Sequence, residues 1–189
     1  MPTSFSPVPG GSLVTAPSGF ANLTILDQPA VPCVVVNANN IPMAELGSLF
    51  DPAFSHLPAV IAEAGLEITA PALAAYYRIG GVDHGHATCD IAAGFPVSAP
   101  LEAPATLGDT GLVADNWELP AGRIAALTHL GGYDGLQESW NALMTTMTER
   151  GLSPQAPFWE VYVSMPGPDA DLATQRTDLF VPLGPLTAG

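Results

Sequence analysis

The chain repeats itself at an offset of 86 residues. Residues 57–76 read LPAVIAEAGLEITAPALAAY, and residues 143–162 read LMTTMTERGLSPQAPFWEVY. Aligned without a gap, seven of these twenty positions are identical: Leu57/Leu143, Glu63/Glu149, Gly65/Gly151, Leu66/Leu152, Ala70/Ala156, Pro71/Pro157 and Tyr76/Tyr162. A repeat of this size is typical of two copies of one supersecondary unit related by a pseudo-twofold axis. We therefore expect a ligand cleft at the junction of the copies, where concave sites commonly form.

Hydrophobic spacing predicts the order strand, helix, strand, strand in each copy. The first copy has strand-like runs at residues 25–26, 31–36, 71–79 and 89–98, and a helix that ends at Gly65. The second has strand-like runs at residues 123–129, 157–164 and 177–183, and a helix that ends at Gly151. This pattern predicts an α+β fold of two pseudo-twofold related modules, with an antiparallel sheet, two main helices and a central cleft.

Three local features carry further expectations. Pro58 lies well inside the first helix and should kink or split it. Asp134 and Gln137 have the spacing of a capping box at the start of the second helix. The segment Gly80–Thr88 is expected to be a loop.

The domain organisation follows from composition and from the repeat. Residues 1–20 are rich in Pro, Gly and Ser, which predicts an extension that packs loosely. Residues 21–189 form one domain, with repeat 1 at about 23–98, a Pro-, Ala- and Gly-rich linker at about 99–120, and repeat 2 at about 121–183.

Charge narrows the range of partners. The chain has 18 acidic residues, four arginines and no lysine, for a net charge of −14. This charge argues against direct nucleic-acid binding and would attract cations. The simplest interpretation of the charge is a solubility feature shaped by genome base composition.

Location is predicted from what the sequence lacks. No apolar run is long enough to cross a bilayer, and the start of the chain does not have the pattern of a secretion signal. We therefore expect a cytoplasmic protein, with Cys33 and Cys89 as free thiols.

Several segments resemble one known family. They are AGRIA at 121–125, THLGGYD at 128–134, Gly151-Leu152, WEVY at 159–162, TDL at 177–179, and, in the first copy, Asp90-Ile91 and AGFPV at 93–97. In order and spacing they resemble the GyrI-like domain, also called the AraC-type effector-binding domain, from about Leu23 to Leu183. The resemblance implies a fold of two strand–helix–strand–strand modules and a cleft for lipophilic, often aromatic and cationic compounds. It also implies that Glu160 lies at the floor of the pocket.

The resemblance leaves three functions open. The leading one is binding of lipophilic aromatic, cationic small molecules, without a cofactor. The alternatives are a hydrolase that opens strained cyclopropane rings of DNA-alkylating compounds, and a partner of DNA gyrase or of a regulator. Many relatives carry an acid where this chain has Ala92, so a mechanism with two carboxylates would need Glu118 or Glu45 instead.

The residues themselves indicate the site. In an extended strand, Phe158, Glu160 and Tyr162 share one face. A carboxylate between aromatic rings is costly to bury unless it is paired, hydrogen-bonded or protonated, and a bound cation would relieve that cost. Its alternative partners are Arg123 or a tyrosine. The predicted ligand-binding residues are Glu160, Phe158, Tyr162, Tyr76, Tyr133, Trp140, Phe54, Phe50, Phe95 and Trp117, and Glu160 and Tyr162 would be catalytic in an enzyme.

One segment contains metal-ligand residue types. His84, His86, Cys89 and Asp90 lie close together in the sequence. Their spacing fits neither a zinc finger nor a two-histidine helix site, so we expect a solvated loop and no metal. His129 is expected to be structural.

Overall fold

A nine-stranded antiparallel sheet with two α-helices makes up the fold of the described residues. The computed structural model describes residues 11–83, 85–164 and 169–185. The strands are β1 Thr24–Gln28, β2 Val31–Pro42, β3 Leu73–Asp83, β4 His86–Pro96, β5 Ala105–Thr106, β6 Val113–Leu119, β7 Gly122–Leu130, β8 Phe158–Tyr162 and β9 Arg176–Pro182. The helices are α1 Leu46–Glu63 and α2 Leu136–Glu149, each preceded by a short 3-10 helix, Met43–Glu45 and Tyr133–Gly135. The predicted α+β class is confirmed.

The two repeats meet where β3 pairs with β8. The strand order is β1-β7-β9-β8-β3-β4-β2-β6-β5, so β7-β9-β8 mirrors β2-β4-β3 across this junction. In the β3–β8 register Ala74 lies opposite Glu160, and these two residues are also 86 positions apart. The pseudo-twofold axis therefore passes through this residue pair.

β1, which precedes β2, and β6, which precedes β7, each pair with the other half of the sheet. β1 pairs with β7, with Gln28 opposite Gly122, and β6 pairs with β2, with Val31 opposite Leu119. Because β1 and β2 are nearly continuous, as are β6 and β7, the segments 24–35 and 115–126 run alongside each other in one register. This exchange ties the two halves together away from the β3–β8 junction. The predicted linker 99–120 thus contains a sheet strand, β6, because its residues complete the edge of β2.

Both helices end in the same way. Gly65 and Gly151 have φ values of 72° and 65°, a left-handed conformation that glycine adopts without steric cost. The next residue then bonds back to the helix, with Leu66 N–H donating to Ile61 O at 3.0 Å and Leu152 N–H to Met147 O at 2.9 Å. These bonds satisfy carbonyls that the helix end leaves free. The predicted helix ends are confirmed.

Two sides of the sheet carry separate cores. On one face α1 buries Leu49, Ala53, Leu57 and Ile61, and α2 buries Leu143 and Met147. On the opposite face, side chains from β2, β3, β4, β7, β8 and β9 form one cluster around Trp159 and Phe180, whose stacked rings lie 5.7 Å apart. The space between the two helices lies on the helical face, over the junction of β3 and β8.

Three local features differ from expectation. Pro58 does not split α1, because the four buried side chains of its apolar stripe hold the helix against the sheet. No side-chain cap forms at the start of α2, because the preceding 3-10 helix bonds through its backbone, with the Gly135 N–H donating to Gly132 O. The predicted loop at Gly80–Thr88 is largely a hairpin, since the β3–β4 ladder continues to Asp83 opposite His86.

Residues 11–20 pack against the domain, contrary to the loose packing expected of them. Leu13 and Phe20 are buried in the cluster around Trp159. The Arg176 guanidinium donates to Ala16 O at 2.7 Å and to Pro17 O at 3.0 Å. Their packing places this segment on the sheet face opposite to the helices. Residues 1–10 lie outside the described residues.

A buried ion pair holds that segment in place. Arg176 contacts Asp178 at 2.7 Å, and the Asp178 side chain is 2% exposed. Thr128 donates to the same carboxylate at 2.6 Å and accepts from the Phe20 N–H at 2.7 Å. The carboxylate therefore connects β7, β9 and the incoming chain.

We expect Asp178→Asn to lower the free energy of unfolding by about 3 kcal/mol, because breaking a buried pair leaves a cation without its partner. Denaturant unfolding followed by circular dichroism measures it. The matched control is Asp90→Asn in the more exposed Arg78–Asp90 pair, which should lose less. Equal losses in the two variants would contradict the buried-pair account.

Candidate functional site

A cavity of about 780 Å³ opens between α1 and α2, over the junction of β3 and β8. Both helices and both central strands contribute to its wall, so it lies at the pseudo-twofold axis. The lining residues are Met43, Leu46, Gly47, Phe50, Asp51, Phe54, Tyr76, Ile79, Tyr133, Leu136, Gln137, Trp140, Asn141, Met144, Phe158, Glu160 and Tyr162.

The carboxylate of Glu160 lies at the base of the cavity and is 4% exposed. The indole N–H of Trp140 donates to its Oε1 at 2.7 Å. The Tyr162 hydroxyl donates to its Oε2 at 2.7 Å, and the Tyr76 hydroxyl approaches the same oxygen at 3.5 Å. Neutral donors from β3, β8 and α2 therefore fix both oxygens.

Burial changes the acidity of this group. Desolvation raises the pKa of Glu160, and the hydrogen bonds from Trp140, Tyr162 and Tyr76 partly oppose that rise. Burial, followed by the nearby Glu160 charge, raises the pKa of both Tyr76 and Tyr162 well above the usual range. The tyrosines therefore stay protonated as donors, and burial disfavours the ionised form of the carboxylate.

Aromatic rings form the walls around the carboxylate. Phe50 and Phe54 stack on α1 with centroids 5.4 Å apart, and Phe54 meets the Tyr162 ring at 5.9 Å. From the other side Tyr133 meets Tyr162 edge-on at 5.9 Å. Trp140 lies 6.1 Å from Phe158. Rings from α1, α2 and β8 therefore surround the carboxylate.

The structure brings together most of the residues proposed from the sequence. The lining includes Phe50, Phe54, Tyr76, Tyr133, Trp140, Phe158, Glu160 and Tyr162. Phe95 does not line the cavity, because its ring packs behind Phe54 at 5.8 Å. Trp117 packs on the opposite sheet face, with its ring 6.3 Å from that of Tyr77, because it lies opposite Cys33, whose side chain belongs to the cluster of that face.

The sequence left Arg123 or a tyrosine as the partner of Glu160, and the contacts of its carboxylate decide between them. Among the described residues the carboxylate makes no ion pair with Arg123, and tyrosine is one of its donors. The tyrosine bond does not close the site, because the carboxylate still lines the cavity.

An acid at the position of Ala92 would not reach the cavity. Ala92 lies opposite Ala75, in the cluster of the other sheet face, so an acid there would point away from the cavity. Its counterpart in repeat 2, at an offset of 86, is Asp178, which is already paired with Arg176. Glu45 and Glu118 are not lining residues, whereas Asp51 on α1 is.

Sequence reasoning missed nine lining residues, most of which lie on the two helices. They are Met43, Leu46, Gly47, Asp51, Ile79, Leu136, Gln137, Asn141 and Met144. The internal repeat could have identified several of them, because the offset of 86 residues relates lining positions of the two halves. It aligns Gly47 with Tyr133, Phe50 with Leu136, and Asp51 with Gln137. Helix positions three or four residues from the matched pair Phe54 and Trp140 share its helical face, so they were candidate lining residues.

The described residues contain no group of three or more histidine, cysteine, aspartate and glutamate side chains that could hold a metal ion. His84 lies outside them. Asp90 pairs with Arg78 at 2.9 Å, which lowers the Asp90 pKa. His129 contacts Ser139 Oγ at 2.8 Å and Gly132 O at 2.9 Å, so it joins β7 to the start of α2. Cys33 and Cys89 are both free and buried, and burial raises the pKa of Cys33 to about 12.

The family follows from a direct comparison. The family model of the GyrI-like small molecule binding domain matches residues 22–183. The chain belongs to this family. A search of the curated proteins found no match.

Solved structures share the fold. The EcmrR C-terminal domain superposes with a TM-score of 0.66 at 17% identity, covering 86% of this chain and 97% of that one. SAV2435 bound to tetraphenylphosphonium gives a TM-score of 0.57 at 15% identity, covering 87% and 95%. A hydrolase encoded by lin2189 from Listeria innocua gives a TM-score of 0.55 at 13% identity, and the match covers 89% of this chain and 94% of that one.

This chain matches only part of the EcmrR chain that was solved in complex with DNA. It covers 86% of this chain but 57% of that longer one, with a TM-score of 0.65 at 16% identity. EcmrR therefore carries sequence that this chain does not match. In the part of this chain that the structure describes, no helix combines the length and the apolar character needed to cross a membrane.

The raised pKa of Glu160 predicts a pH-dependent stability. The folded state holds this proton more tightly than the unfolded chain, whose pKa is near 4.5. The contribution of this protonation to folding stability is therefore complete below about pH 4.5, and it is lost as pH rises through the folded-state pKa of Glu160. We expect the free energy of unfolding of wild type, minus that of Glu160→Gln, to fall as pH rises above 4.5.

Denaturant titrations of both proteins across this pH range measure the difference. The glutamine variant has no titrating group at this position, so pH effects that the two proteins share cancel in the subtraction. A difference that stays flat or rises with pH would contradict the prediction.

Proposed function

We propose that this protein binds lipophilic aromatic cations in the cavity between its two repeats, with Glu160 as the counter-charge. The carrying observation is a buried carboxylate with a raised pKa, open to a cavity and held by neutral donors from Trp140 and Tyr162. A bound cation would stabilise the ionised form that burial disfavours. The rings of Phe50, Phe54, Tyr133 and Trp140 would supply the apolar contact.

The family and one neighbour support the proposal. The family model describes a small-molecule-binding domain, and SAV2435, which shares the fold, was solved with tetraphenylphosphonium. This cation has a delocalised positive charge shielded by four phenyl rings, so it suits a cavity that combines one carboxylate with aromatic walls.

Tetraphenylphosphonium is the test ligand. We expect Glu160→Gln to weaken its binding about tenfold, or about 1.4 kcal/mol, because a charge contact in a low-dielectric cavity is stronger than one at the surface. Isothermal titration calorimetry measures the affinity. A ligand that still binds Trp140→Phe in calorimetry but no longer quenches tryptophan fluorescence lies beside Trp140, since Trp117 and Trp159 do not line the cavity.

The matched control is Glu118→Gln, which removes the same charge from an exposed position on β6. It should bind like wild type. Equal weakening in both variants would show that the general surface charge gathers the ligand, and the proposal would fail.

A second candidate is hydrolysis of a strained, electrophilic ring such as a cyclopropane. The favouring observation is that Glu160, with its raised pKa, is suited to accept a proton from water. The Tyr162 hydroxyl, 2.7 Å away, could donate to negative charge that develops on the ring-opened product. One water molecule would be added across the broken carbon–carbon bond.

Mass spectrometry after incubation with a cyclopropane-bearing alkylator tests this candidate. Hydrated product in excess over protein, lost in Glu160→Gln, would support catalysis. Covalent labelling of the protein in a one-to-one ratio, or unchanged compound, would exclude it.

We propose a cytoplasmic location, and DNA gyrase or a regulator as a candidate partner that the acidic surface would contact. Pull-down with purified gyrase tests that contact, and its loss at high salt would identify it as electrostatic.

A further inference from the structure

The cavity carries a second carboxylate that the binding of one cation does not use. Asp51 lines it from α1, is exposed, and makes no hydrogen bond or ion pair with another described residue. Glu160 is buried at the other side of the aromatic wall. The two acids therefore differ in depth, with one at the base and one at the mouth.

The path between the acids runs along aromatic rings. Tyr162 bonds to Glu160 at 2.7 Å, and its ring lies 6.2 Å from that of Phe50, the residue before Asp51. Phe54, one turn further along α1, stacks on Phe50. An apolar linker leaving a cation at Glu160 would contact these rings before it reached Asp51.

The mouth of the cavity is open beside Asp51. Gly47 lies four residues earlier on α1, hence on the same helical face. A Cβ added to Gly47 would meet nothing within 4 Å, so the absent side chain leaves a gap in the wall. In the other repeat the matching positions hold Tyr133 and Gln137. The acidic, open side of the mouth is therefore confined to α1.

We propose that the cavity selects ligands with two positive charges: an aromatic cation that contacts Glu160, and an amine on a short apolar chain that contacts Asp51. This inference rests on the proposed function and specifies its ligand class. Asp51 acts as a specificity-determining residue, because the amine-bearing ligand makes a charge contact that an uncharged tail of the same length cannot make.

Two matched probes test it. Aminobutyl-triphenylphosphonium and butyl-triphenylphosphonium share the aromatic cation and the chain, and differ in whether the tail carries an ammonium group. Calorimetry gives the ratio of their affinities for each protein. We expect Asp51→Asn to shift this ratio about two- to fivefold against the amine, the range of exposed ion pairs, and the shift should shrink at high salt.

The control is Glu63→Gln, the same charge change at an exposed position on the same helix. It lies twelve residues beyond Asp51, or roughly 18 Å along the axis. The ratio should stay at the wild-type value in this variant. A ratio that is unchanged in Asp51→Asn, or that shifts equally in Glu63→Gln, would overturn the inference.

The two proposals fail separately. If the butyl probe binds and Glu160→Gln weakens it, the proposed function stands, and the affinity ratio alone decides the role of Asp51. If the butyl probe does not bind, or binds equally to wild type and Glu160→Gln, the proposed function fails and the two-charge ligand class fails with it.

Discussion

The pairing of β3 with β8 is the constraint on which the rest of the structure depends. This ladder joins the two repeats along their shared axis and sets Ala74 opposite Glu160. The helices cover the sheet on either side of the axis, so the strip above the ladder remains open as a cavity. The side chains at the axis are consequently surrounded by both halves of the molecule.

Departure from symmetry gives the cavity its chemistry. A perfect repeat would place two like residues face to face at the axis, and two glutamates there would repel each other. The chain instead has Ala74 against Glu160, and Ala72 where the second copy has Phe158. The small residues of repeat 1 leave space, and the large residues of repeat 2 supply the charge and the ring. The result is a single carboxylate surrounded by hydrogen-bond donors.

Stability and binding are separated between the two faces of the sheet. The face around Trp159 and Phe180 holds a buried apolar cluster and the buried Arg176–Asp178 pair. The helical face holds the unfavourable, desolvated Glu160. The opposite core and the strand exchange of β1 and β6 hold the framework without this side chain. This arrangement agrees with the general tendency of destabilised groups to lie at binding sites.

The sequence by itself determined the repeat, the α+β class, the helix ends at Gly65 and Gly151, and the face shared by Phe158, Glu160 and Tyr162. These follow from local rules: an 86-residue offset, glycine at positive φ, and alternation along a strand. Only the tertiary structure decided that Trp140 donates to Glu160, that Trp117 lies on the opposite face, and that Asp51 lines the cavity. These depend on how β6 and the two helices are placed across the sheet, and contacts between residues distant in the chain leave no periodic signal in one sequence.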